Sequence, residues 1–151
     1  MLLSCTATAK LYALFSTYAC MYMHTALGII SPYKAQIKEL RKALDTTLPR
    51  AMSQQIEVNT VDGFQGREKD VILFSCVRTN GIGFLKDERR LNVAITRARY
   101  ACVLIGNAVC LRKNNTWSAL IQHLNSNGVL YEEAQGDLRA RHENDAARLE
   151  C

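Results

Sequence analysis

Three short apolar runs constrain this chain more than anything else in it. Leu27-Gly28-Ile29-Ile30, Val71-Ile72-Leu73-Phe74 and Ala101-Cys102-Val103-Leu104-Ile105 carry no charge. A strand with one wet face alternates apolar and polar residues, whereas continuous runs of this length mark strands covered on both faces. The first run closes at Ser31-Pro32 and the third at Gly106-Asn107, turn-forming pairs that end a buried strand. Ile56 to Val61 reads as a further strand, stopped by Asp62-Gly63. Between these strands lie helical patterns. Tyr33 to Leu44 sets Ile37, Leu40 and Leu44 on one face and Lys34, Lys38, Arg41 and Lys42 elsewhere. Glu88 to Arg97 is a second helix. Trp117, Leu120, Ile121 and Leu124 mark a third, with Thr116 as its cap. Asp45 to Gln55, polar and holding Pro49, reads as a loop, as does Arg78 to Gly83; Val129-Leu130-Tyr131 reads as a last short strand.

This alternation predicts an α/β fold, a parallel sheet flanked by helices. Ligands of such sheets sit beyond the carboxyl ends of the strands. The segments to inspect are therefore Ser31-Pro32-Tyr33, Asp62 to Glu68, Arg78-Thr79 and Asn107. At 151 residues the chain has the size of one compact domain, and too few residues for a motor with two nucleotide-gripping lobes.

Charge is unevenly spread. Residues 1–131 hold 16 Lys/Arg against 8 Asp/Glu, whereas residues 132–151 hold 3 against 6, within a total of +5. A basic body with an acidic tail fits a polyanionic partner, and fits an ordinary solvated surface too. The tail shows no apolar periodicity and reads as a loosely held helix or disordered. The six cysteines form no C-x-x-C pair, and no metal site is expected; a reduced, intracellular protein of the nucleus or cytoplasm is the expectation. Residues 1–26 read as a poorly specified extension, atypical or from an imperfect gene start. Leu11 to Ile30 lacks formal charge over a membrane-span length, but Ser16, Thr17, His24, Thr25 and three tyrosines argue against a span. Met1 to Ala9 supplies no basic side chain for a signal peptide.

Two segments carry chemistry. In Thr60-Val61-Asp62-Gly63-Phe64-Gln65-Gly66-Arg67-Glu68 two glycines three apart let backbone approach a phosphate or sugar closely. Spacing alone makes it an ordinary strand-to-helix turn just as well. In Arg89-Arg90-Leu91-Asn92-Val93-Ala94-Ile95-Thr96-Arg97-Ala98-Arg99 the residues Leu91, Ile95 and Ala98 mark a packing face. On an ideal helix Arg97 and Arg99 stand about 200° apart, so both reach one phosphate only if the helix ends between them. A guanidinium at a nucleotide cleft stabilises charge on a transferred phosphoryl group; on these residues alone, surface arginines are the alternative.

Together the segments resemble superfamily 1 nucleic-acid helicases, within the senataxin and up-frameshift group. Ile29-Ile30-Ser31-Pro32-Tyr33-Lys34-Ala35-Gln36 resembles their motif IV and Val58 to Asp70 their motif V. Gly81-Ile82-Gly83-Phe84-Leu85 with Arg89 to Arg99 resembles the approach to motif VI and motif VI itself. The resemblance spans about Leu27 to Tyr131 and implies a second RecA-like helicase domain over residues 27–131. It implies that Arg97 is an arginine finger reaching the γ-phosphate of ATP, that Arg99 supports it, and that Gly66 and Glu68 lie near ribose and phosphates. It implies nucleic-acid contacts for Ser31, Pro32, Tyr33, Thr60, Asp62 and Gln65. ATP and Mg2+ are implied as cofactors, held mainly by a first RecA-like lobe, and RNA or DNA as partner, with no membrane. No G-x-x-x-x-G-K-[ST] loop and no Gly-Lys pair occur in the chain, and no acidic pair follows an apolar strand as a magnesium segment requires. The expected function is therefore the carboxy-terminal motor domain of an ATP-dependent helicase, inactive as an ATPase by itself. The alternatives are a stand-alone module that binds nucleic acid or a partner without catalysis, or a fragment of a longer gene.

Overall fold

The apolar runs become strands β1 (Leu27–Ile30), β2 (Glu57–Asn59), β3 (Lys69–Cys76) and β4 (Ala98–Gly106). They come from a computed structural model that describes residues 26–76 and 83–130. Residues 1–25, residues 77–82 with Arg78 and Thr79, Tyr131 and the acidic tail lie outside the described residues. The strands pair in parallel in the order β2-β1-β3-β4. Helices α1 (Lys34–Thr47), α2 (Arg50–Ser53), α3 (Glu88–Ile95), α4 (Ala108–Leu111) and α5 (Asn115–Ser126) complete the described fold.

Successive strand residues point to opposite faces, so each run feeds two cores. Ile29, Val58 and Leu73 pack with Leu40 and Leu44 of α1 on one face. Ile30, Ile72, Phe74 and Cys76 pack on the other with Leu91 and Ala94 of α3 and Trp117 and Ile121 of α5. This double covering is why the runs lack alternation. Trp117 is only 1% exposed, and its indole Nε1 donates to the Leu85 carbonyl at 2.7 Å. That bond ties α5 to the 3-10 turn Gly83–Lys86.

Several element ends differ from the sequence reading. α1 runs to Thr47, with the Thr46 and Thr47 hydroxyls donating to the Lys42 and Ala43 carbonyls, and stops before Pro49. The polar stretch after it contains α2, whose first turn is closed by bonds from Met52 and Ser53 N–H to the Pro49 carbonyl. Asn114, not Thr116, caps α5, accepting from Trp117 N at 3.1 Å; the Thr116 hydroxyl instead donates to Glu88. α3 ends at Ile95 rather than at Arg97, and β4 begins at Ala98, three residues earlier than its apolar run. Val129 and Leu130 form no strand.

Residues 60–68 join β2 to β3 across β1, which lies between them in the sheet. Parallel crossovers take about a dozen or more residues and usually a helix. Here a 3-10 turn, Asp62–Phe64, does the work, and Val61 and Phe64 bury themselves on the α3–α5 face. Phe64 lies over Gly28 of β1: a Cβ at Gly28 would stand 2.9 Å from Phe64 Cζ, Ile72 Cδ1 and Lys69 Cγ. At its far end the segment is held by Glu57, which pairs with Arg67 and, at 3.1 Å, with Lys69. Burial pushes the Glu57 carboxyl up, but the hydrogen bonds and charges of Lys69 and Arg67 outweigh it and hold the group below its ordinary value.

Gly28→Val forces the Phe64 ring or its neighbours to move, and should lower stability by about 1–3 kcal/mol. Urea unfolding of the variant reads this; an unchanged midpoint would show that the ring yields freely. Glu57 supplies a second test. A carboxyl held low in the folded state contributes stability that is complete above the ordinary carboxylate value and is lost as pH falls through the folded value. Glu57→Gln should therefore be less stable than the wild type at pH 7, with the gap closing in acid. A gap that stays constant with pH would rule out the ion pair as its source.

Candidate functional site

The candidate residues fall into two groups at opposite ends of the sheet. Residues following β1 and β2 lie at the carboxyl ends of the strands; those preceding β3 and β4 lie at the amino ends. The segment 60–68 runs from one end to the other, so the expectation of one crevice beyond the carboxyl ends holds for only some of them.

At the carboxyl end, Ser31 continues the ladder by donating its N–H to the Asn59 carbonyl at 3.2 Å. Its hydroxyl accepts from Tyr33 N at 3.4 Å, and the residue is 0% exposed, so Ser31 shapes the turn from inside. Pro32 and Tyr33 are half-buried beside it. Asn59 Oδ1 accepts from Thr60 N at 2.8 Å, and Thr60 Oγ1 accepts from Gly63 N at 3.1 Å, which sets the 3-10 turn. Asp62 and Gln65 are exposed. Asn107, after β4, caps α4 by accepting from Cys110 N at 3.1 Å.

Two residues outside the candidate set join this group. Arg90 of α3 places its guanidinium 3.4 Å from Asp62 and 3.9 Å from Asp87, and 5.2 Å from the centre of the Phe84 ring. Phe84 in turn meets Tyr33 edge-on, with centroids 6.2 Å apart at 66°. Arg90 is positioned because Asp87 caps α3, accepting from Arg89 N at 3.0 Å and Arg90 N at 3.4 Å. Phe84 belongs to the segment that resembles the approach to motif VI, where it carries no assigned role; its exposure marks it.

At the amino end, Gly66 takes φ +77°, a left-handed turn that leads the chain into β3 and that glycine adopts without strain. Arg97 follows α3. Its Nε donates to the Val93 carbonyl at 3.1 Å and its Nη2 to Thr96 Oγ1 at 3.2 Å, while Nη1 reaches the Arg67 carbonyl at 3.5 Å. Arg99 sits in β4. There the register slips from Lys69↔Ala98 to Val71↔Ala101, so β4 carries an extra residue opposite Asp70. This β-bulge directs Arg99 to Glu68 Oε2 at 3.4 Å and Asp70 Oδ1 at 3.8 Å. Asp70 Oδ2 also accepts from Ala26 N at 2.8 Å. Because α3 ends before both arginines, the helical geometry that separated them does not apply; both reach the Arg67–Glu68 segment. Asp70, which enters the sequence reading only as the end of the motif V segment, stands second to Glu68 in holding Arg99.

Chemically, the amino end offers guanidinium groups beside a half-exposed carboxylate and a glycine-bearing backbone, a set that suits phosphate and hydroxyl groups. Among the described residues no group of three His, Cys, Asp or Glu could hold a metal ion, and no helix is long and apolar enough to cross a membrane.

A family model described as an AAA domain matches residues 5–109. The chain is 48% identical over 98 residues to Helicase sen1 of Schizosaccharomyces pombe, covering 63% of the chain. It is 46% identical over 118 residues to Regulator of nonsense transcripts 1 of Dictyostelium discoideum, and 42% over 118 residues to ATP-dependent helicase NAM7 of Saccharomyces cerevisiae, each covering 75% of the chain. It spans only 6%, 9% and 12% of the length of these three relatives. With a parallel sheet flanked by helices and a match over most of its length, the chain belongs to the AAA-domain family, as a carboxy-terminal RecA-like domain of the senataxin and up-frameshift group of superfamily 1 helicases.

Proposed function

We propose that this chain is the second motor lobe of an ATP-dependent helicase, lending an arginine finger to ATP held by an amino-terminal lobe and touching RNA or DNA with its opposite end. The observation that carries the reading is the convergence of Arg97 and Arg99 on the Arg67–Glu68 segment. Arg97 is steadied on one side by the Val93 carbonyl and Thr96, which leaves Nη1 directed at the loop where phosphate oxygens would lie. Glu68, kept in place by Arg99, is free on its other oxygen to accept from a ribose hydroxyl. Gly66 brings backbone close without a side chain in the way.

The donor set fits a nucleotide's phosphates and ribose. Among the described residues it does not supply the cluster of carboxylates that a magnesium ion wants. In this reading magnesium and the triphosphate's main grip belong to the other lobe. When bound there, ATP with Mg2+ supplies the phosphoryl group whose developing charge Arg97 stabilises. At the carboxyl end, Pro32, Tyr33, Thr60, Asp62 and Gln65 surround the surface read as facing nucleic acid, with Ser31 fixing the turn beneath. The protein is assigned to the nucleus or cytoplasm, where thiols stay reduced. Burial pushes the Cys102 thiol up to about 11 and the Cys76 thiol well above its ordinary value, so both stay protonated small hydrophobes.

A stand-alone nucleic-acid-binding module is the second reading, favoured by the 16 Lys/Arg against 8 Asp/Glu of residues 1–131. ATP hydrolysis separates the two. The chain alone should show no nucleic-acid-stimulated turnover. Fused to the amino-terminal lobe of Helicase sen1, it should hydrolyse ATP, and Arg97→Ala should then cut kcat by roughly a thousandfold. Turnover by the chain alone, or an Arg97→Ala fusion with unchanged kcat, would overturn the motor reading.

A further inference from the structure

We propose that Phe84 is a stacking platform for one base of a single-stranded nucleic acid lying over the carboxyl ends of β1 and β2. The inference rests on the nucleic-acid contact proposed above and assigns it a residue and a mode.

Phe84 is 56% exposed, yet it is not a loose surface side chain. Its neighbour Leu85 is buried, and the Leu85 carbonyl holds the Trp117 indole, so the turn that carries the ring is bolted to the core. Tyr33 meets the ring edge-on at 6.2 Å and Arg90 lies over it at 5.2 Å. These neighbours orient the ring while leaving more than half of the residue open to solvent. Leaving an aromatic ring in water forgoes the gain from burying it, and an ordered exposed ring is a surface prepared for a flat ligand.

The surrounding charges choose between a base and a phosphate. Arg90 is the cation at the ring, but Asp62 and Asp87 stand 3.4 Å and 3.9 Å from it and offset its charge. Two exposed carboxylates repel a phosphate at that spot. A neutral, polarisable base does not meet that repulsion, and it can stack on the ring face that Arg90 does not cover. The phosphates of such a strand would run outside the Asp62–Asp87 pair, drawn by the basic body. A free nucleotide is disfavoured at this position for the same reason, since its phosphates could not avoid the carboxylates as a strand can.

The test measures binding of the 151-residue chain to a fluorescent decauridylate and to an abasic oligonucleotide of equal length, at low salt. Phe84→Ala should weaken decauridylate binding about tenfold and leave abasic binding unchanged, while Phe84→Trp should keep the wild-type preference. Because the ring is exposed, the thermal transition of Phe84→Ala should match the wild type. Equal loss on both oligonucleotides, or no loss on either, overturns the platform and leaves the nucleic-acid reading standing. Failure of the wild type to bind either oligonucleotide overturns both. Displacement of decauridylate by equimolar ATP from the wild type but not from Phe84→Ala would assign the ring to a free nucleotide and overturn the proposal.

Discussion

The contact between Phe64 and Gly28 holds the rest of the arrangement in place. A helix in the crossover from β2 to β3 would lift the connecting segment off the sheet. Residues 60–68 instead lie against it, anchored where the ring rests on the one position of β1 without a side chain. The middle of the segment is core and its two ends are surface. Asp62 is thus delivered to the carboxyl edge and Gly66 to Glu68 to the amino edge. A stretch that reads as one motif serves two separate places because its centre is pinned.

The electrostatics of the two ends follow from that pinning. At the amino edge, four cations (Arg67, Lys69, Arg97 and Arg99) stand with three carboxylates, Glu57, Glu68 and Asp70. The Arg99–Glu68 pair is half-exposed on both sides, so it adds little to stability, about 0–1 kcal/mol for pairs of this kind. Its value is positional. A guanidinium already held at a fixed place loses less freedom when an anion arrives, which is how preorganised groups gain strength. At the carboxyl edge the balance runs the other way, with Asp62 and Asp87 both spent on Arg90.

Much of this was legible from residues alone, for physical reasons that also explain the misses. Strands β1 and β3 announced themselves because burial on both faces demands continuous apolar side chains. β4 reads short because Arg99 and Tyr100, exposed near its start, interrupt the apolar run that marks the rest of the strand. The end of α3 was read late because Thr96 and Arg97 are compatible with a helix. The backbone decides otherwise: Thr96 leaves the helical region at φ −77° and ψ 3°, and Arg97 N–H donates to the Ala94 carbonyl at 3.4 Å in a tightened last turn. The pairing of Asp70 with Arg99 depends on a one-residue register slip, which no periodicity records. Phe84 stands in the approach to motif VI without a role of its own, since an aromatic residue in a sequence looks the same whether a fold buries it or displays it.

Helix α3 joins the two ends, and its packing limits how they communicate. Arg90 lies in its first turn at the carboxyl edge, and Arg97 follows its last turn at the amino edge, with roughly 8 Å of helix between. Leu91 and Ala94 bury that helix against the same core as Phe64 and Trp117. Sliding α3 along the sheet would break those contacts, and close-packed cores resist such shifts. An event at Phe84 and Arg90 therefore reaches Arg97 by carrying the whole lobe, not by moving the helix within it. In the motor proposed above, where Arg97 would act on a phosphate held by another lobe, rigidity of this kind is the useful property: a movement of the carboxyl edge carries Arg97 with it.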